Sequence, residues 1–282
     1  MLRCRGGRGR RRGTILFVAI GAVAVLSILA LGSTSSVMQQ MRLALHVTRG
    51  NESFYAGRAA VEITKIVVTH DETPSLVTLY DLRDRDVAFG GKTLKLRFVD
   101  EERLVPLVQA PAEVLGRLPG LDDPGVASNV AADNLTVKED ARFVSGVTPE
   151  MYAQFEPYVT VHTVGSVNIN TAGPVVLQAL GMDEELVEKI REFRAGVDGQ
   201  EGTIDDAFFE TPAAVVSNLQ DYEGISEAEV ALLEGLVAQG LLGTSSNHVR
   251  VEATLVTGDR EEPGAKAVVH LPSGNVVAWY DG

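Results

Sequence analysis

From Thr14 to Leu31 the chain is an almost unbroken apolar run without a charge. After it the pattern changes without a break. No proline occurs between Ser33 and about His70, and only Gly50 and Gly57 interrupt the stretch. Val47, Phe54, Val61 and Val68 recur every seven residues, with Asn51, Glu52, Arg58, Glu62 and Lys65 on other positions. That spacing predicts one helix with a single apolar face, ending at Thr73-Pro74. Running from 14 to 70 at about 1.5 Å per residue, it would approach about 85 Å.

The period then shortens. Lys92 to Val99, KTLKLRFV, alternates as a strand does. Near the other end, Val249, Val251, Ala253 and Leu255 share one face, and Ala265, Ala267, Val269 and Leu271 another. Pro272 to Asn275 is a turn, and VVAWYD closes the meander. Lys92–Val99 is expected to pair with these late strands, leaving the helical signals of about 101–243 as an insertion in one α+β body.

Inside the insertion the start and stop signals are specific. Thr148-Pro149-Glu150 gives a cap, a proline and an early acid. Pro174 opens a helix that Gly181 can end, and Asp183 caps the next, whose stripe is Leu186, Val187, Ile190 and Phe193. Thr211-Pro212 begins another, and Ser226 with Glu229 forms a capping box. Val105–Asp123 and Val167–Glu184 repeat one plan: strand, proline-started helix, glycine turn, acid-capped helix.

Such helix-turn-helix units often hold a nucleic-acid backbone, and charge argues against that use. The 282 residues carry net charge −13. Of the 25 Lys and Arg, six lie in residues 1–13, leaving 19 against 38 acids, and no basic run follows. The hairpins at Leu118–Asp123 and Leu180–Glu185 lack a Gly-x-Gly pair and place carboxylates where a phosphate would sit. Each acid at 4–6 Å would cost a phosphate on the order of a kcal/mol even when solvated. Packing and protein contact are therefore the expected uses, with a membrane-anchored DNA-uptake protein as the alternative.

The apolar run can just span a bilayer, and the arginines before it should stay on the cytoplasmic side. Three readings fit: a signal peptide cut after Ala30-Leu31-Gly32, a plain anchor, or a leader cut after Gly13 with the helix retained. The single cysteine, Cys4, excludes an internal disulfide. The five histidines are scattered, and no nucleophile elbow, paired-His motif or Walker loop occurs, so no enzymatic activity is expected. An exported enzyme behind a signal peptide is the third alternative. Asp198, Glu201, Asp205 and Asp206 crowd one loop, which reads either as a solvated acidic loop or as a calcium site without EF-hand spacing. Asn168 and Asn170 read as turn residues that set a helix start.

The stretch VTPEMYAQFEPYVTVHTVGSVNINTAGPVVLQAL (147–180) resembles the hallmark of the type II secretion minor pseudopilin K family, the general secretion pathway protein K. Its motif falls on Asn168, Asn170, Thr171 and Pro174. The leader and anchor (11–32), ESFYAGRAAVE and the terminal strands fit as well. The resemblance implies a prepilin-type leader over 1–13, a transmembrane segment over 14–32, and the long helix and start of a pilin-like body over 33–100. It further implies a helical insertion with two helix-hairpin-helix-like units over 101–243 and a β-meander over 244–282. It also implies cleavage by prepilin peptidase between Gly13 and Thr14, although Thr14 departs from the aromatic residue usual there. Val18, the fifth residue after that cut, stands where most pilin-like subunits have a glutamate, and the family resembles this chain in lacking it. The implied role is non-enzymatic, at the tip of a pseudopilus. The implied setting is the inner membrane, with most of the chain in the periplasm. The implied partners are other minor pseudopilins, inner-membrane secretion proteins and the membrane, with no nucleic acid.

Overall fold

A computed structural model describes residues 10–68, 75–163 and 165–281. The start of the basic leader, His70 and the Thr73-Pro74 stop lie outside the described residues, as do the side chains of Gly13 and Thr14. The chain divides into two units, residues 1–52 and 53–282.

The described part of the first unit is helical, belonging to α1 (Arg10–Val67). Its large apolar side chains from Ile15 to Val47 are all exposed, Val18 among them. Segment Ile15–Val67 is long and apolar enough, at its most apolar window, to cross a membrane. Its hydroxyls are suited to that setting. Ser27 Oγ donates to the Val23 carbonyl at 2.8 Å, and Thr34 Oγ1 donates to the Ala30 carbonyl at 2.8 Å, so neither needs water.

The second unit holds the last turns of α1 and an antiparallel sheet. Strands β1 (Arg85–Phe89), β2 (Lys92–Asp100), β7 (His248–Thr257), β8 (Arg260–His270) and β9 (Asn275–Asp281) lie in the order β1-β2-β7-β8-β9. The anticipated pairing of Lys92–Val99 with the late strands is present, with Leu94 opposite Leu255 and Phe98 opposite Val251. Alternation puts Leu94, Leu96, Phe98, Val249, Val251 and Ala253 on the buried face. Ala56, Ala60 and Val61 of α1, with Val68 just past its end, cover that face. The heptad predicted a different stripe: Val61 and Val68 are buried, whereas Val47 and Phe54 are exposed and alanines supply the close approach. Gly57 lies so near the sheet that an added Cβ would stand 2.5 Å from Ala265 Cβ.

Between β2 and β7 stands a helical lobe with its own core, including Leu107, Leu115, Leu118, Phe155, Leu177, Ile190, Phe209 and Leu233. The internal repeat is real and larger than its sequence signal. In the first copy, β3 (Val105–Pro106), α2 (Ala112–Leu115), α3 (Pro124–Ala132), α4 (Pro149–Phe155) and β4 (Val159–Thr160) follow in order, and β3 pairs in parallel with β4. In the second, β5 (Val167–Asn168), α5 (Pro174–Ala179), α6 (Glu184–Arg194), α7 (Ala214–Tyr222), α8 (Glu227–Ala238) and β6 (Leu242–Gly243) follow, and β5 pairs in parallel with β6. The three α-helices of the first copy and the four of the second are thus each closed by a two-residue parallel ladder. Asp123 caps α3 and Asp183 caps α6 through backbone N–H groups, while Gly120 and Gly181 take the positive φ of the preceding turns. Ser226 and Glu229 make both bonds of the capping box. The helix expected from Thr211-Pro212 begins three residues after Thr211, at Ala214, because Thr211 and Pro212 form a preceding turn.

Candidate functional site

The chain passes twice between sheet and lobe, at Asp100–Glu101 and at Gly243–His248, and the Asn-Ile-Asn-Thr-Ala motif packs against both passages. Strand β2 ends at Asp100 and a 3-10 turn opens with Glu101 and Glu102; these three successive acids are all buried. Buried carboxylates need donors, and each finds a different set. Asp100 has no basic partner within ion-pairing distance among the described residues. Its Oδ1 accepts the Glu102 N–H at 2.9 Å, and its Oδ2 accepts from Asn168 Nδ2 at 3.1 Å, Ser246 Oγ at 2.6 Å and the Thr171 hydroxyl. Glu101 accepts from Arg250 Nη1 at 2.7 Å and from the Thr160 hydroxyl. Glu102 accepts the His248 N–H at 3.0 Å and meets His248 Nδ1 at 2.9 Å. Burial pushes the Asp100 carboxyl up to about 7, helped by the charge of Glu102 and opposed by the Ser246 and Thr171 hydroxyls.

Asn170 ties the motif to the rest of the lobe. Its Nδ2 donates to the carbonyls of Phe209 at 3.0 Å and Thr244 at 3.1 Å, and its Oδ1 accepts the Phe209 N–H at 2.8 Å. Asn168 Oδ1 accepts the Asn170 N–H at 2.9 Å, so one part of the turn is satisfied locally. Neither asparagine caps the helix that follows. Gly173 is the N-cap of α5 and Pro174 its first residue. The carbonyls of Ile169 and Ala172 accept from Arg194 Nη1 at 2.8 and 2.9 Å, and Arg194 also pairs with Glu201. Sequence reasoning missed Asp100, Ser246 and Arg194. The run Asp100-Glu101-Glu102 carries no sign of burial, because charge runs usually mark solvated turns.

The acidic loop is placed as follows. Asp205 Oδ2 accepts the N–H groups of Val197 and Asp198, each at 3.0 Å. Asp206 accepts those of Gly202 at 2.7 Å and Thr203 at 3.0 Å. Asp198 accepts from Gln200 N–H at 2.8 Å, and Glu201 faces Arg194 and Arg191. Among the described residues no three His, Cys, Asp or Glu side chains gather at a metal's reach. The case for calcium rests on the loop's composition.

Two groupings have no counterpart in the linear sequence. His248 and His270 come together, with ring centroids 5.0 Å apart. Arg97, Arg103, Lys138 and Arg250 line one cleft, although no run of basic residues follows the leader.

No protein-family model matches the sequence, and no curated protein matches it. A solved structure does. The fold matches a chain in the crystal structure of the GspK-GspI-GspJ complex from the enterotoxigenic Escherichia coli type 2 secretion system, with a TM-score of 0.62. The match covers 86% of this chain and 99% of that one, at 15% identity. The chain has the fold of a component of that complex. At this identity the fold is what the two share. The antiparallel sheet, its helix and the lobe between β2 and β7 all belong to the α+β fold so matched.

Proposed function

We propose that this chain is a minor pseudopilin of a type II secretion apparatus, a non-enzymatic subunit at the pseudopilus tip that helps to initiate assembly. The observation that carries the reading is the fold match over nearly the whole of the other chain, together with an exposed apolar helix at the N-terminal end of the same fold. The leader is removed after Gly13 by prepilin peptidase, and the helix stays in the inner membrane with the remainder in the periplasm. Val18 then stands as the fifth residue. An intramembrane carboxylate is costly unless it is paired, and a subunit with no neighbour beyond it has no terminal amine to offset. The partners are other minor pseudopilins and the inner-membrane secretion proteins. The motif of Asn168, Asn170 and Thr171 serves the joint between sheet and lobe, not a reaction.

The test is the N-terminal sequence of the mature protein from cells that express the peptidase, with membrane fractionation alongside. Thr14 as first residue, in the membrane fraction, is expected. A soluble form beginning at Ser33 would overturn the reading.

A further inference from the structure

The cleft behind the sheet gathers cations in a chain of strongly acidic balance. Its volume is about 360 Å³. One wall is the outer face of β2 and β7, with Arg97, Arg250 and Glu252; the other is the lobe, with Lys138, Glu156 and the start of α5. Two of the four cations are engaged. Lys138 pairs with Glu156, and Arg250 with Glu101 and with Glu252 at 3.2 Å. The other two are not. Among the described residues, neither Arg97 nor Arg103 has a hydrogen bond or an ion pair from its side chain. Arg97 is exposed. Arg103 is half-buried beside Gly173, one guanidinium nitrogen lying 3.9 Å from where a Cβ on that glycine would stand. Burial lowers its pKa, with Asp100 and Glu201 only partly compensating.

A guanidinium presents a planar fork of donors that matches a carboxylate. Leaving one half-desolvated and unpaired is costly, and an incoming anion would relieve that cost. The cleft is not purely polar. Val99, Leu104, Pro174 and Val176 line it too, so it offers apolar surface beside the two forks.

We infer that this cleft receives a carboxylate carried next to an aliphatic side chain on a partner protein, with Arg97 and Arg103 gripping the carboxylate. The ligand chemistry stands on this cleft alone; only the identity of the partner as another subunit of the same apparatus rests on the proposed function. The carboxylate is either a chain terminus or an acidic side chain, and two probes separate these. N-acetyl-leucine presents a terminal carboxylate, and N-acetyl-aspartyl-leucinamide a side-chain one. N-acetyl-leucinamide is the neutral control.

The experiment uses the full chain in detergent at constant ionic strength. Each arginine's reaction with phenylglyoxal is followed by mass spectrometry. One or both acids should protect Arg97 and Arg103 and leave Arg260 unchanged, while the neutral amide protects neither. Arg97→Gln, a change at an exposed position, should weaken protection at Arg103 about tenfold in apparent affinity, the factor that about 1.4 kcal/mol carries. Protection by the amide equal to that by both acids, equal protection at Arg260, or an unchanged Arg103 response in the Arg97→Gln variant would each overturn the inference. A mature terminus at Ser33 together with selective protection would remove the proposed apparatus and leave the anion site standing.

Discussion

Asn170 holds Phe209 by both of its backbone groups, accepting its N–H at 2.8 Å and donating to its carbonyl at 3.0 Å across 39 residues of sequence. The second donor hydrogen goes to Thr244 at 3.1 Å, so one side chain satisfies three backbone groups. Asn170→Ala leaves all three without their partner. At about 1–3 kcal/mol for a buried group left unsatisfied, with some relaxation, the loss should be about 3 kcal/mol in urea unfolding. Asn170→Asp keeps the acceptor and turns an oxygen toward two carbonyls, so it should rescue little. A loss below about 1 kcal/mol in both variants would show that Asn170 does not hold this joint.

Asp100 gives the fold a pH dependence of unusual sign. Its carboxyl stands at about 7 in the folded chain against an ordinary value of 3.8. Between those values the folded state keeps a proton that the unfolded chain has released. This group's contribution is therefore most favourable at low pH, falls as pH rises from about 4 to about 7, and is flat above. Asp100→Asn should remove that slope. It should also lower stability at acid pH, because an amide has one accepting oxygen where Asp100 accepts through two, so either the Glu102 N–H or the Asn168, Ser246 and Thr171 donors would face an NH2 group. Urea midpoints measured across the window check both, and a slope unaltered in the variant counts against Asp100 as its source.

Gly57→Ala sets two effects against each other. In an exposed helix the change gains about 1 kcal/mol of propensity. Here the new methyl would stand 2.5 Å from Ala265 Cβ and 2.7 Å from the Trp279 ring. Overpacking of this kind costs about 1–3 kcal/mol, so net destabilisation is expected. Thermal unfolding that shifts upward would mean that the helix and sheet leave room for a methyl at position 57.

Asp123 and Asp183 occupy the N–H groups that a phosphate would need. Replacing either cap by alanine should cost about 1 kcal/mol of stability. The unaltered protein should show no salt-dependent binding to duplex DNA at physiological ionic strength. Fluorescence anisotropy with a labelled duplex decides this, and tight binding would revive the DNA-uptake reading.

Local signals in the sequence were legible wherever the responsible groups are neighbours. The alternation of Val249, Val251, Ala253 and Leu255, the capping box at Ser226 and Glu229, and the Asp183 cap are each written within a few residues. Strand β1 was not legible: five residues of mixed polarity, joined to β2 through Gly90 and Gly91, carry little periodicity. The parallel ladders were hidden for another reason, since β5 meets β6 only after four helices have intervened. The joint was hidden most deeply. Asp100, Asn168 and Ser246 are far apart in the chain, and a buried carboxylate held by neutral donors leaves no compositional trace. The asparagines read as turn formers do serve a turn, but their larger share of bonds crosses to other segments.

Asp100 and Val249 stand opposite each other in the ladder between β2 and β7. Everything from Glu101 to Asn247 therefore leaves and rejoins the sheet beside a single rung. The ladder itself closes across that rung as it would across a hairpin loop, and the excursion is tied to the strands by side chains at the joint. A lobe mounted in this way can be enlarged or reshaped away from the joint without shifting the strand pairing beneath it, so its outer surface is free to diverge while the stem and the residues that grip it stay constant.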